Sequence, residues 1–194
     1  MSGMMLTMQL TPRSKFLLLI GVFIVPVVAA YLAFFGWRPS GHGNYGDLIP
    51  VTPLQHTTGV AVDGTPFDLQ TLRGKWLMVH VGPAACDADC AQQLYYMRQT
   101  RIAQGKEQSR IERVWVVSDA GAVDPALLRE HAGLHAWRPA DAVFIEQFPA
   151  VQSRNAHIYL VDPLGNLMLR FPAQPEPKRL MKDLKLLLKA SQIG

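Results

Sequence analysis

The chain has 194 residues, 49% hydrophobic and 18% charged, with a formal net charge of +4. Arg13, Lys15 and Arg38 supply most of that excess around one apolar N-terminal run, and the remaining Lys and Arg nearly balance the 15 Asp and Glu. With no basic stripe and no nucleic-acid motif, the charge does not point to a nucleic-acid partner, and the length fits one domain plus an appendage.

Phe16 to Phe35 is free of charged residues. A helix of that length spans a hydrocarbon core of about 30 Å, whereas the apolar core of a cleavable signal is about 7–15 residues. We read residues 16–36 as an uncleaved transmembrane anchor, with Trp37 at the interface. Arg13 and Lys15 precede the run, so residues 1–15 are expected in the cytoplasm. The rest is then expected outside the inner (cytoplasmic) membrane, in the periplasm, where disulfides persist. Residues 37–53 are rich in Gly and Pro and read as an irregular linker with a solvated His42. The soluble domain is expected over residues 54–194.

Thr57 to Val62 reads as a short strand, Asp63-Gly64 as a hairpin turn, and Phe67 and Leu69 as a second extended piece. Leu72-Arg73-Gly74-Lys75 then turns the chain into Trp76 to Val81, apolar at nearly every position as in a central strand covered on both faces. His80 interrupts it and is expected to be a hydrogen-bonded core residue. A Gly82-Pro83 turn leads to Cys86 and Cys90, the only two cysteines. A helix follows from about Asp87 to Ile102, with Leu94, Met97 and Ile102 inward. Ile111 to Val117 is a buried strand. Asp124 caps a short helix that has Pro125 at its first position; His131 and His135 are separated by Gly133 and make an unconvincing metal face. Val143 to Phe148 is short and irregular or extended. Ala156 to Val161 and Asn166 to Phe171 form an antiparallel hairpin around Asp162-Pro163-Leu164-Gly165. Leu180, Leu184, Leu187 and Leu188 are the apolar face of a final helix. Strands alternating with helices, then a hairpin and a last helix, are the thioredoxin arrangement, a central mixed sheet flanked by helices.

The cysteines are four apart. On a regular helix their β-carbons would be about 5–6 Å apart, against about 3.8 Å in a disulfide, so a helical turn favours a metal pincer. With Cys86 in a non-helical loop, both states are reachable. A helix N-terminus favours a thiolate; Asp87 and Asp89 oppose that and favour a cation. A working dithiol, a structural disulfide and incidental thiols all remain open from the residues alone.

The stretches "DGTPFDLQTLRGKW", "VGPAACDADC" and "IYLVDPLGN", together with the anchor, resemble the Sco/SenC family of membrane-anchored, thioredoxin-fold proteins of cytochrome c oxidase copper-site assembly. The resemblance runs from about Leu54 to Leu188. It implies copper held by Cys86 and Cys90 with a histidine as third ligand, and a respiratory oxidase subunit or another copper or thiol protein as partner. The chain departs from the family pattern at Asp87 and Ala91, where proline is usual. It also departs at the histidine slot, which falls on Arg154; His157 lies three residues later and is the substitute considered. The function implied is handling of copper, thiol redox state or both in oxidase assembly. The alternatives are a membrane-tethered thiol–disulfide oxidoreductase with Cys86 and Cys90 as its redox-active dithiol, and a non-catalytic thioredoxin-like interaction domain.

Overall fold

The computed structural model describes residues 11–36, 44–191 and 193 and divides into two compact units, up to Gly43 and from Asn44. Trp37, Arg38 and His42 lie outside the described residues. The first unit is helix α1, Pro12–Gly36, which contains Pro26. It is long and apolar enough to cross a membrane, and its large side chains, Phe23 and Phe34 among them, are exposed.

The second unit begins with strands β1 (Asp47–Pro53), β2 (Thr58–Ala61), β3 (Pro66–Asp68) and β4 (Trp76–Gly82). Helix α2 (Ala88–Ala103), β5 (Ile111–Val117), α3 (Pro125–Glu130), β6 (Leu134–Pro139) and α4 (Val143–Glu146) follow. The chain closes with β7 (Ile158–Val161), β8 (Asn166–Arg170) and α5 (Pro177–Ala190). The eight strands form one sheet in the order β1-β8-β7-β4-β5-β6-β2-β3. β4 pairs parallel with β5 and antiparallel with β7, so the sheet is mixed. This is the thioredoxin-like arrangement expected.

β4 lies at the centre, every residue of it buried, which is why its sequence is a nearly unbroken apolar run. Alternate side chains serve two cores. Trp76 and Met78 join Leu94 and Met97 of α2 and Leu180 and Leu184 of α5. Leu77, Val79 and Val81 join Trp137, Phe144, Phe148 and Tyr159 on the opposite face.

Three segments differ from expectation. The stretch read as a linker over residues 37–53 contains β1, which pairs antiparallel with β8 (Asp47 opposite Arg170, Pro53 opposite Asn166). Prolines are tolerated there because β1 is an edge strand, and the register breaks between Leu48 and Thr52, around Pro50. Val143–Glu146 is helical, which places the rings of Phe144 and Phe148 5.7 Å apart in the second core. β6 was not expected; it lies parallel to β5 after a turn at Gly133, whose φ is +78°.

Candidate functional site

The site forms where β4 ends. The Ser118 amide donates to the Gly82 carbonyl (2.9 Å), and the Ala84 amide donates to Asp119 Oδ1 (3.0 Å), so the loop after β4 is tied to the segment after β5. Asp119 Oδ1 also accepts from the Gly121 amide at 3.1 Å. Asp87 has extended backbone and caps α2, accepting from the Cys90 amide at 2.9 Å. Cys86 therefore precedes the helix and Cys90 sits in its first turn. That break in helical geometry brings the two Cα atoms to 5.2 Å and closes a Cys86–Cys90 disulfide, within the usual span for such a bond. The two sulfurs differ in access: Cys90 is 4% exposed, Cys86 half-buried. An open groove of about 410 Å³ runs beside Cys86, between its loop and the start of α3.

Gln93, one turn beyond Cys90 and buried, was not singled out in the sequence. Its Nε2 donates to the carbonyls of Ala156 (3.1 Å) and Ala173 (2.8 Å), fastening α2 to the segments before β7 and after β8. A polar residue among the inward positions of an otherwise apolar helix face was the available signal.

His157 lies against the segment that follows β8. Nδ1 of His157 lies 2.8 Å from the Phe171 carbonyl, and Nε2 is buried without a partner. Its ring is 6.0 Å from that of Tyr159, whose core cluster contains neither cysteine. Among the described residues, no three His, Cys, Asp or Glu side chains converge to hold a metal ion. With Cys86 and Cys90 joined as a disulfide, His157 Nδ1 is directed to the Phe171 carbonyl. Arg154 occupies a short 3-10 turn, and its Nε donates to the Phe148 carbonyl (2.9 Å). With Ser118 and Asn155 it lines a cavity of about 520 Å³ on another side of the Gly82-Pro83 turn.

His80 is in the core, as expected, but neither ring nitrogen makes a hydrogen bond of normal geometry. Strand alternation places it with Met78, on the sheet face that packs against Cys90 and α2. Burial pushes its pKa down to about 4, weakly opposed by the His157 backbone and the Asp87 charge. Gly82 accommodates it: a β-carbon there would lie 2.9 Å from His80 Nε2. His131 and His135 do not form a pair. His131 is buried at the end of α3, while His135 Nε2 faces Glu112 at 3.5 Å.

Comparison with known proteins matches residues 76–191 to the family model described as transmembrane-like, thioredoxin-like, C-terminal domain. Comparison with curated proteins gives no match. Similar solved structures include yeast Sco1 with copper bound, at 14% identity and TM-score 0.62, covering 74% of this chain and 96% of that one. BsSco, a member of the Sco family of cytochrome c oxidase assembly proteins in which a disulfide switch was identified, aligns at 15% identity and TM-score 0.55, covering 75% and 98%. The thioredoxin domain of a thiol–disulfide oxidoreductase from Bacteroides vulgatus aligns at 20% identity and TM-score 0.56, covering 73% and 99%. At these identities the likeness carries the fold.

Proposed function

The chain belongs to the transmembrane-like, thioredoxin-like C-terminal domain family, and from that premise we propose that it is a membrane-anchored, Sco-like protein that exchanges thiols and disulfides with a partner through Cys86 and Cys90. The partner proposed is a respiratory oxidase subunit or another copper or thiol protein. One observation carries the reading: a disulfide at the start of α2 with one sulfur reachable and the other buried. A partner thiolate attacks Sγ of Cys86 in line with the disulfide. The Cys86–Cys90 bond breaks, and Cys90 leaves as a thiolate that takes up a proton. A second partner thiolate then attacks the partner sulfur of the mixed disulfide and expels Cys86. The partner dithiol is oxidised to a disulfide and the Cys86–Cys90 pair is reduced, with no further oxidant needed.

Mixed-disulfide trapping tests this. In Cys90→Ser, Cys86 should form a stable mixed disulfide with an oxidised cysteine peptide, because no second sulfur remains to resolve it. In Cys86→Ser, the buried Cys90 should trap at least about tenfold more slowly, in proportion to its reduced access. Equal trapping by the two variants would overturn the assigned roles.

The copper-bound state of a similar fold favours a second reading, with copper as cargo. The reduced pair supplies two thiolates, a set suited to Cu(I). The histidine slot holds Arg154, whose guanidinium has no lone pair to give, and Nδ1 of His157 is engaged with the Phe171 carbonyl. The reduced protein is therefore expected to take up one equivalent of Cu(I), and to bind Cu(II) no more tightly in the native chain than in His157→Ala. A titration followed by thiol-state mass spectrometry measures both. A Cu(II) site lost in His157→Ala would restore that residue as a ligand.

A further inference from the structure

The groove beside Cys86 has a composition unlike that of the chain as a whole. Ala84, Ala122 and Leu127 give it apolar walls, and Asp87 and Asp124 line it together with Cys86. Each carboxylate is fixed by a helix cap: Asp87 accepts from the Cys90 amide, and Asp124 accepts from the Ala126 amide at 2.7 Å. Both residues are exposed. Asp89 follows in the first turn of α2, and Asp119 is bound to the Ala84 amide. Among the described residues, no cationic side chain lines the groove. Arg138, which is held against the same loop, donates to the carbonyls of Asp119 and Gly121. The sulfur open to attack thus shares its groove with two carboxylates and no lining cation, although the chain carries a net charge of +4.

We propose that this groove selects its thiol partner by charge: it receives an extended protein segment whose cysteine is flanked by small apolar residues and by Lys or Arg. The inference rests on the thiol-exchange reading and specifies the partner of that same site. Fixed charges at a reaction site raise encounter rates with oppositely charged partners and disfavour like-charged ones. A partner cysteine with acidic neighbours would have to bring like charge into a groove lined by Asp87 and Asp124.

The test uses the full chain, oxidised, in neutral detergent, with two reduced peptides, Gly-Lys-Cys-Lys-Gly and Gly-Glu-Cys-Glu-Gly. Each rate of reduction of the Cys86–Cys90 bond is divided by the same peptide's rate with a small uncharged disulfide, which removes the peptides' own difference in thiol reactivity. At low salt the lysine peptide should be favoured by about tenfold or more. The preference should collapse toward unity as salt shortens the screening length to about 3 Å. Asp124→Asn keeps the cap, since Asn caps as well as Asp, and should reduce the preference by at least about threefold. Ala122→Lys, at an exposed wall position, should abolish or invert it. Equal normalised rates for the two peptides in the unaltered chain would overturn the charged groove while leaving thiol exchange standing. Exchange with neither peptide would remove the exchange reading and this inference with it.

Discussion

At the scale of single residues, the contribution of the disulfide to function and its contribution to stability are separable. The bond joins positions four apart, so it closes a very short loop and restrains the unfolded chain little, by roughly 2 kcal/mol on the loop-entropy relation. Met97, fully buried in the core below it, is different: truncation to Ala costs about 2–5 kcal/mol. Reducing the bond, or replacing Cys86 by Ser, should therefore lower stability by about 2 kcal/mol or less while abolishing exchange, as urea unfolding monitored alongside exchange activity would show. A loss as large as that of Met97→Ala would make the cysteines packing residues. His80 gives a second residue-scale prediction. Its pKa is about 4 in the folded chain and near the ordinary 6.5 when unfolded. Between these values the unfolded state binds the extra proton, so stability rises with pH through that window and is lost as pH falls from 6.5 toward 4. The effect is on the order of 3 kcal/mol. Unfolding of a fragment beginning near Pro39, compared at pH 4.5 and 7, should show this dependence, and His80→Leu should flatten it. An unchanged pH profile in that variant would show that another group governs it.

At the scale of elements, what was legible in the sequence was what local pattern determines. The apolar run of β4, the Asp124 cap, the Asp162–Gly165 hairpin and the leucine face of α5 each need only neighbouring residues to be recognised, and each is present. β1 and β6 were missed because their support is distant. β1 is a proline-bearing edge that exists by pairing with β8, and β6 is a short piece laid against β5. Asp183 shows the same limit. It is a buried acid on α5 whose Oδ2 accepts from the amides of Tyr45 (2.6 Å) and Gly46 (2.9 Å), clamping the chain just before β1 to the last helix. Arg179 stacks over the Tyr45 ring at 4.3 Å and closes the contact. Removing the carboxylate leaves two amides without their acceptor, so Asp183→Ala should cost about 2–3 kcal/mol. Hydrogen exchange should show the loss concentrated at residues 44–48 and in α5. Asp183→Asn, which keeps one acceptor oxygen, should cost less. Uniform loss of protection across the sheet would argue against a local clamp.

At the scale of the whole molecule, the candidate site was legible in half. The cysteine pair and its strand–loop–helix setting are continuous in sequence, but the third donor depends on which sheet face a residue 71 positions away would present, and that phase is set only when β7 pairs with β4. The sidedness proposed for the chain rests on one argument from each unit, taken separately. α1 exposes its large apolar side chains along its length, with no core of its own to bury them, so water is a poor environment for it and a bilayer a good one. Arg13 and Lys15 stand before the span, a charge bias that favours that end on the cytoplasmic side. A disulfide in the domain that follows is favoured in an oxidising compartment and disfavoured in a reducing one. On both grounds we propose that Cys86 lies outside the cytoplasmic membrane. The chain should stay in the membrane fraction through an alkaline wash, and its mature N-terminus should lie before Phe16. After mild reduction of intact spheroplasts, a membrane-impermeant maleimide should label Cys86 without lysis, and labelling should disappear in Cys86→Ser. A mature N-terminus at or beyond Tyr31 would make the apolar helix a removed signal, and labelling that required lysis would reverse the orientation and leave the disulfide without the compartment that sustains it.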